Sequence, residues 1–411
     1  MKKFETVSSD FVNYYYQHYY VDKALQSTEN EFLKNTKREK THGLYILAFL
    51  LYLLTLAMSI FKCFRISFER LRNAGENLVI INCNSSWSKV KKYIEHQGMT
   101  EYVVLYDDMR INRLNFQANG ILESIDKPKR LTILIKTMFG NGSFFNLLNK
   151  VKEIFNEQEH DRAFILFLAK RFFFHELYVS SLAYLLIDNK TFKRVISGST
   201  NERYAIAMEK ICSDLGIETI CIPHGISVSY KLPHGLFGQR YFCLSLKEKN
   251  ILEGLYPNVK FIYEKNMISS ILNVNSGRKK NGESQKRKIV VFTDSRAIYR
   301  DQNLINLVSS LTSEFYIKLH PNDSLSNYDL PSNGSILSEF KDAIYNSLCV
   351  TRVSTILLDA LHNNSIPIAF LGADVDRNSS EVVYAGLYTD EVKKIYTEDK
   401  LKEVIRRYVD D

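Results

Sequence analysis

The chain has 411 residues, 45% of them hydrophobic and 24% charged, and 54 basic against 46 acidic side chains give a net charge of +8. At about 150 residues per domain there is room for two or three domains with real cores, and the composition excludes a disordered or fibrous chain. The mild basic excess suits an anionic partner, a membrane face or a phosphorylated ligand, and does not call for nucleic acid. Six cysteines (Cys63, Cys83, Cys212, Cys221, Cys243 and Cys349) are scattered without a C-x-x-C pair. That pattern predicts reduced, buried thiols rather than a disulfide framework or a zinc site.

The first forty residues hold a tyrosine cluster (YYYQHYY) and a mixed-charge run, read as a separate helical or irregular arm. Residues 43–61 (GLYILAFLLYLLTLAMSIF) carry no charge. As a helix rising ~1.5 Å per residue they reach roughly 28 Å, about the hydrocarbon thickness of a bilayer. The stretch starts too late for a signal peptide. It is therefore a helix that spans a membrane, a hydrophobic segment lying in one leaflet, or a buried core helix. Lys34, Lys37, Arg38 and Lys40 before it balance Lys62, Arg65, Arg70 and Arg72 after it, so the positive-inside rule sets no orientation.

From residue 77 onward, short β-rich runs alternate with helix-length segments. Strands are predicted at 78–84, 101–108 and 131–138, with helices at 88–96 and 144–155. Residues 164–187 read as one buried helix, because Lys170, Arg171, His175 and Glu176 interrupt a second membrane span. Then come the strand RVISGS, a helix over 201–215 closed by Gly216, the strand IETIC and the segment RYFCLSLKEKNILEGLY. Residues 273–288 are polar, basic and glycine-containing, a linker. Beyond them the alternation restarts, with strands KIVVFTDS, FYIKLHP, LCVTRVS and PIAFLG and helices over 301–312, 337–346, 355–362 and 398–408. Strands separated by helices of this length imply right-handed βαβ units and parallel sheets. The fold class is thus α/β, two facing Rossmann-like domains behind an N-terminal hydrophobic helix. The expected division is 1–76 for arm and helix, 77–272 for the first domain, 273–288 for the linker and 289–411 for the second. Strand carboxyl ends and helix N-termini then line a cleft suited to phosphorylated ligands.

Three short constellations fall at such strand ends. Ile222-Pro223-His224-Gly225 holds an imidazole on a tight turn, where His224 can act as general base and Gly225 lets a ligand approach the backbone. Lys318-Leu319-His320-Pro321 ends a strand and aims His320 at a phosphate, with Lys318 adding positive potential. Arg352-Val353-Ser354-Thr355 precedes a helix, where Ser354 and Thr355 serve either as caps or as contacts to an anion. Weaker candidates are Asp107 and Asp108, paired carboxylates after a strand, and Ser199 in the Ser-Gly-Ser-Thr run before the 201–215 helix. Asp374-Val375-Asp376 matches a metal-binding D-x-D pattern, but its late position argues against that use. Walker A, G-x-G-x-x-G, H-E-x-x-H and G-x-S-x-G patterns are missing, which disfavours kinases, ATPases, zinc proteases and α/β-hydrolases.

The order of the PHG turn, the linker, KLHP, a serine and threonine before a helix and then IPIAFLG resembles bacterial GT-B glycosyltransferases. It looks like the sialyltransferases and the capsule and lipooligosaccharide transferases, with the CDP-glycerol glycerophosphotransferases alongside. The resemblance covers roughly residues 77–411. It implies donor-phosphate contacts from His320, Ser354 and Thr355. In the sialyltransferases an acidic motif supplies the base where this chain has Pro223-His224-Gly225; the glycerophosphotransferases carry a His-Gly base in that loop, which His224 resembles. The resemblance implies an inverting transferase without a resident cofactor or essential metal. Its expected partners are a nucleotide-sugar donor, CMP-sialic acid or a related acidic sugar first, and a glycan or lipid-linked acceptor. The alternatives are a CDP-glycerol- or UDP-sugar-dependent transferase of the same fold, or a non-catalytic subunit. The expected location is the bacterial inner membrane, with the catalytic part in the cytoplasm and the product a capsule or lipopolysaccharide glycan.

Overall fold

The computed structural model describes residues 41–69, 71, 75–81, 84–107, 118–155, 162–200, 204–232, 235–273, 287–294, 298–321 and 323–410. The tyrosine-rich arm, Asp108, Cys83 and most of the 273–288 segment lie outside the described residues. The chain divides into two compact units, residues 1–224 with 232–241 and residues 225–231 with 242–411.

Helix α1 (Thr41–Arg65) is formed by the apolar stretch. Its buried stripe is Ala48, Tyr52, Thr55, Ser59 and Cys63, at helical spacings of three and four residues. The hydroxyls of Thr55 and Ser59 donate to the carbonyls of Leu51 and Thr55, each at 2.8 Å, so they can be buried without other partners. The large apolar side chains point the other way: Ile46 is 63% exposed and Phe61 61%. A helix of a water-soluble core has the reverse arrangement. Small and polar residues on the packing face, with bulky apolar ones outside, are the pattern of helices that pack within lipid. Tyr52 anchors the stripe by donating to the Gly142 carbonyl at 2.8 Å and by ring contacts with Phe144 and Phe173. By length and composition α1 can cross a membrane.

The first sheet has seven strands in the order β3-β2-β1-β4-β5-β6-β7. These are β1 (Asn77–Ile81), β2 (Tyr102–Tyr106), β3 (Asn119–Gly120), β4 (Arg194–Ser197), β5 (Glu218–Cys221), β6 (Arg240–Phe242) and β7 (Lys260–Ile262). Central β1 is buried along its whole length, as its continuous apolar run requires in a sheet covered on both faces. It pairs in parallel with β2 and β4. The crossovers carry α2 (Asn84–His96), then α3 (Lys127–Phe139), α4 (Phe144–Phe155), α5 (Arg162–Ala169) and α6 (Phe172–Asp188), and then α7 (Ala205–Leu215). Helices α8 (Leu246–Leu255) and α9 (Lys265–Leu272) follow β6 and β7.

The second sheet has six strands in the order β10-β9-β8-β11-β12-β13, all paired in parallel. They are β8 (Lys288–Phe292), β9 (Phe315–Lys318), β10 (Gly334–Ile336), β11 (Ser347–Thr351), β12 (Ile366–Phe370) and β13 (Lys393–Ile395). Alternation along β8 sends Val291 to one core with Leu304, Ile305 and Val308 of α10 (Ile298–Ser309), and Val290 and Phe292 to another with Ala343, Ile344 and Cys349. Ala343 and Ile344 belong to α11 (Phe340–Ile344), and α12 (Ile356–Leu361), α13 (Asp374–Asn378) and α14 (Glu398–Asp410) complete the layers. Burial pushes the Cys349 thiol up to about 12, which makes it a core residue without reactivity. In both sheets the first strand is central and the order reverses beside it, the doubly wound arrangement whose ligand crevice opens at the carboxyl ends flanking the reversal.

Three sequence expectations are corrected. Residues 131–138 are not a strand but part of α3, started by Asp126, whose side chain accepts the Lys129 N–H, and by Pro128 in the first turn. Its buried residues Arg130, Ile133, Leu134 and Thr137 follow a helical period that the β-branched composition disguised. The single helix over 164–187 is two, α5 and α6, broken at Lys170 and Arg171. The helix after β8 starts at Ile298 rather than Asp301 and ends at Ser309.

Candidate functional site

In the first unit, β4 and β5 run side by side in parallel with Ser197 opposite Cys221, so their following loops leave the same sheet edge together. The backbone N–H of His224 donates to the Gly198 carbonyl at 3.1 Å, and ring Nδ1 lies 3.1 Å from the same oxygen. A carbonyl only accepts, so Nδ1 is the nitrogen that donates here, and a ring with a single proton has its lone pair on Nε2. That tautomer is the one a general base needs, with the ring fixed in direction by the same bond. Lys89 of α2 donates to the His224 carbonyl at 2.9 Å and holds the turn from the other side.

The close approach required here is at Gly198. A Cβ on Gly198 would lie 2.4 Å from the Cβ of Ser86, whereas one on Gly225 would meet only Thr355 Cγ2 at an ordinary 3.5 Å. Of the two glycines, the one without room for a side chain is thus Gly198, whose carbonyl holds the imidazole. Ser199 is buried, its N–H donating to Ser197 Oγ at 3.2 Å and its carbonyl accepting from the Cys221 thiol, so it braces the loop.

In the second unit, His320 follows β9, Thr293 follows β8 and Ser354 follows β11. Phe292 pairs with Lys318 and Val291 with Val350, so all three loops emerge at one edge of the sheet. Two interstrand spacings separate the loops of His320 and Ser354, roughly 10 Å, with the end of β8 between them. Thr293 Oγ1 accepts the His320 N–H at 2.9 Å and donates to Asp323 Oδ2 at 2.9 Å, while Tyr328 also donates to Asp323. Burial acts to raise the Asp323 carboxyl, but hydrogen bonds from Tyr328, Asn327, Thr293 and the Ser324 N–H outweigh it and hold the group below its usual range. A carboxylate kept ionised thus fixes the loop that carries His320. Lys318 donates to the Ser338 carbonyl at 2.8 Å, which directs its amino group to the loop after β10.

Arg352 is buried and binds two carboxylates, Asp301 at 2.9 Å and Asp376 at 3.0 Å, and Arg300 also reaches Asp376 at 3.0 Å. This four-residue ion cluster fixes where the 352–355 loop leaves β11. It also accounts for the D-x-D pattern: Asp376 is a structural ion-pair partner, and Asp374 pairs with Arg377 at 3.2 Å. Ser354 Oγ accepts the Ile356 N–H at 3.4 Å, while Thr355 has helical backbone angles and makes no side-chain cap. Helix α12 has only six residues, so little dipole is available there. Both residues are half-buried.

Asp107 is buried at the end of β2, three strands along from β5, and accepts from the Tyr204 hydroxyl at 3.4 Å. Lys89, Thr293, Asp301 and Asp323 carry no motif, and Gly198, Arg352 and Asp376 stand in short motifs whose supporting contacts no motif reveals. Thr293 has a signal, a hydroxyl immediately after the strand KIVVF; Lys89 has none, because its role depends on a contact across elements. Among the described residues no group of three or more His, Cys, Asp or Glu is placed to hold a metal ion.

No family model matches the sequence, and no curated protein does. Among solved structures the chain is similar to the wall teichoic acid polymerase TagF, in a structure obtained with CDPG. The match has 10% identity and a TM-score of 0.42, covering 89% of this chain and 91% of that one. A likeness at that level assigns no function to this chain.

Proposed function

We propose that the chain is a membrane-associated GT-B-type transferase that moves a nucleotide-activated group onto an acceptor hydroxyl. The observation that carries this reading is the His224 ring held in its Nδ1–H tautomer by the Gly198 carbonyl. His224 Nε2 takes the proton from the acceptor hydroxyl, whose oxygen attacks the donor's electrophilic atom, and the bond to the nucleotide phosphate breaks. His320, Ser354 and Thr355 stabilise the negative charge that collects on the departing phosphate.

With an acidic sugar linked to CMP, the attacked atom is the anomeric carbon and its configuration inverts. With CDP-glycerol, it is the phosphorus bearing the glycerol. The imidazole, standing where the sialyltransferase pattern has a carboxylate, favours the second donor. The outward-facing apolar side of α1 supports membrane association and, with it, a lipid-linked or surface-glycan acceptor on the bacterial inner membrane.

The test is a panel of CMP-, CDP- and UDP-linked donors, read by thermal protection and by release of free nucleotide. One donor should protect the wild type and fail to protect His320→Ala. Equal protection of both by every donor, or protection by none, contradicts the proposal.

A further inference from the structure

Residues 225–231 follow His224 in the chain but belong to the second unit. A buried carboxylate holds them there. Glu248 of α8 is 1% exposed; its Oε1 accepts the Ser227 N–H at 2.8 Å and its Oε2 the Leu244 N–H at 2.7 Å. Two residues on, the Ser229 N–H donates to the Val383 carbonyl at 2.8 Å, and Ser229 Oγ accepts the Gly386 N–H at 3.3 Å. The turn at 383–388 is fastened to α8 in its own right. There the Ser245 hydroxyl donates to the Gly386 carbonyl at 2.7 Å, and a Cβ on Gly386 would lie 2.9 Å from Glu248 Cα. The same turn reaches the loop after β11, because the Tyr388 hydroxyl donates to the Arg352 carbonyl at 3.4 Å. One brace within the second unit thus carries both residues 225–229 and residues 352–355.

The brace presents a set of hydrogen-bond donors. A Cβ on Gly225 would meet Thr355 Cγ2 at 3.5 Å, so Gly225 lies against Thr355, whose hydroxyl is borne by the same carbon as that methyl group. Among the described residues, the N–H groups of Gly225 and Ile226 and the Thr355 hydroxyl donate no hydrogen bond. All three residues are half-buried. The N–H groups of Ser227 and Ser229 are engaged, so the segment is gripped beyond its first two residues and their donors are left over. Polar groups withdrawn from bulk water are normally satisfied by a partner. A phosphate supplies one, because backbone N–H groups make charge-assisted bonds to its oxygens.

We infer that the N–H groups of Gly225 and Ile226 complete the donor-phosphate site beside Thr355, and that Glu248 is the positioning residue that keeps them there. Resting on the proposed function, this makes the general base and the first of these phosphate donors consecutive residues, His224 and Gly225. Negative charge that builds on the phosphate while the acceptor hydroxyl loses its proton then meets dipoles that are already fixed in place.

Hydrogen exchange of the full chain in neutral-detergent micelles tests the site, with CMP or UDP as the probe, whichever binds wild type more tightly. Without nucleotide the Gly225 and Ile226 amides should exchange fast and those of Ser227 and Ser229 slowly. Nucleotide should slow the fast pair about tenfold, and His320→Ala should abolish that protection. Ile226→Pro, which deletes one N–H, should weaken nucleotide binding about tenfold more than Ile226→Ala, which keeps it. Glu248→Gln retains one acceptor oxygen of two. It should raise the nucleotide dissociation constant about fivefold and remove the protection of the pair, while cooperative unfolding persists. Equal affinity of wild type and Glu248→Gln overturns the positioning role. Nucleotide binding that depends on His320, yet leaves the Gly225 and Ile226 amides at their unliganded rates, overturns the site and leaves the proposed function standing. Failure of both nucleotides to bind wild type defeats the proposed function and the inference with it.

Discussion

Gly198 and Ser86 stand so close that a methyl group on the glycine would lie 2.4 Å from the serine Cβ. That contact ties the start of α2 to the loop after β4, and the Gly198 carbonyl passes the constraint to His224. Gly198→Ala should therefore lower stability by about 1–3 kcal/mol, the usual cost of overpacking, and reduce turnover as the imidazole shifts. Gly225→Ala has room and should change stability by less than about 0.5 kcal/mol. Denaturant midpoints of the two variants check the contrast; equal losses would contradict it.

The buried ion cluster gives a second expectation. Arg352→Ala leaves Asp301 without its guanidinium and Asp376 with Arg300 alone. Removing one member of a buried charge set costs about 3–5 kcal/mol, because uncompensated charge remains inside. Chemical denaturation should show a loss of that order. A loss under about 1 kcal/mol would mean that the cluster does not fix the loop.

Asp301 also sets a pH dependence. Burial pushes its carboxyl up from 3.8 to about 6, against the opposing pull of Arg352. Between those values the native state holds a proton that the unfolded chain has released, so this group lowers stability as pH rises from about 4 to 6 and adds no slope above that. Comparing unfolding free energies of wild type and Asp301→Asn across this range should show a slope difference of that sign. Parallel curves would contradict it.

On α1, Leu50→Glu changes an outward-facing side chain that is 55% exposed. Flotation with phosphatidylcholine–phosphatidylglycerol vesicles should fall several-fold while cooperative unfolding persists. Unchanged flotation would show that this face does not meet lipid.

Much of the architecture was readable from the chain because buried parallel strands are short apolar runs bounded by turn residues. KIVVFTDS, FYIKLHP and LCVTRVS became β8, β9 and β11, each strand ending three residues before the expected one. LTILIKTM misled because threonine and isoleucine suit strands, while the deciding signals, Asp126 and Pro128, lay upstream. The loops carrying His224, His320 and Ser354 were also legible, since His-Gly, His-Pro and Ser-Thr at strand ends are local patterns. What holds those loops was not. The Gly198 carbonyl, the Thr293–Asp323 link and the Arg352 cluster arise from strand pairing and long-range contacts that no short window contains. The same holds for α1: its apolarity is plain in the sequence, but which face is buried depends on Tyr52 meeting Gly142.

The central claim is that the His224 imidazole removes the acceptor's proton. Donor affinity and turnover measured side by side for His224→Ala test it most directly. The account predicts a donor dissociation constant within about twofold of wild type and turnover lower by 10²–10⁴-fold, the range for a lost general base. Turnover within threefold of wild type, with donor binding intact, would contradict it.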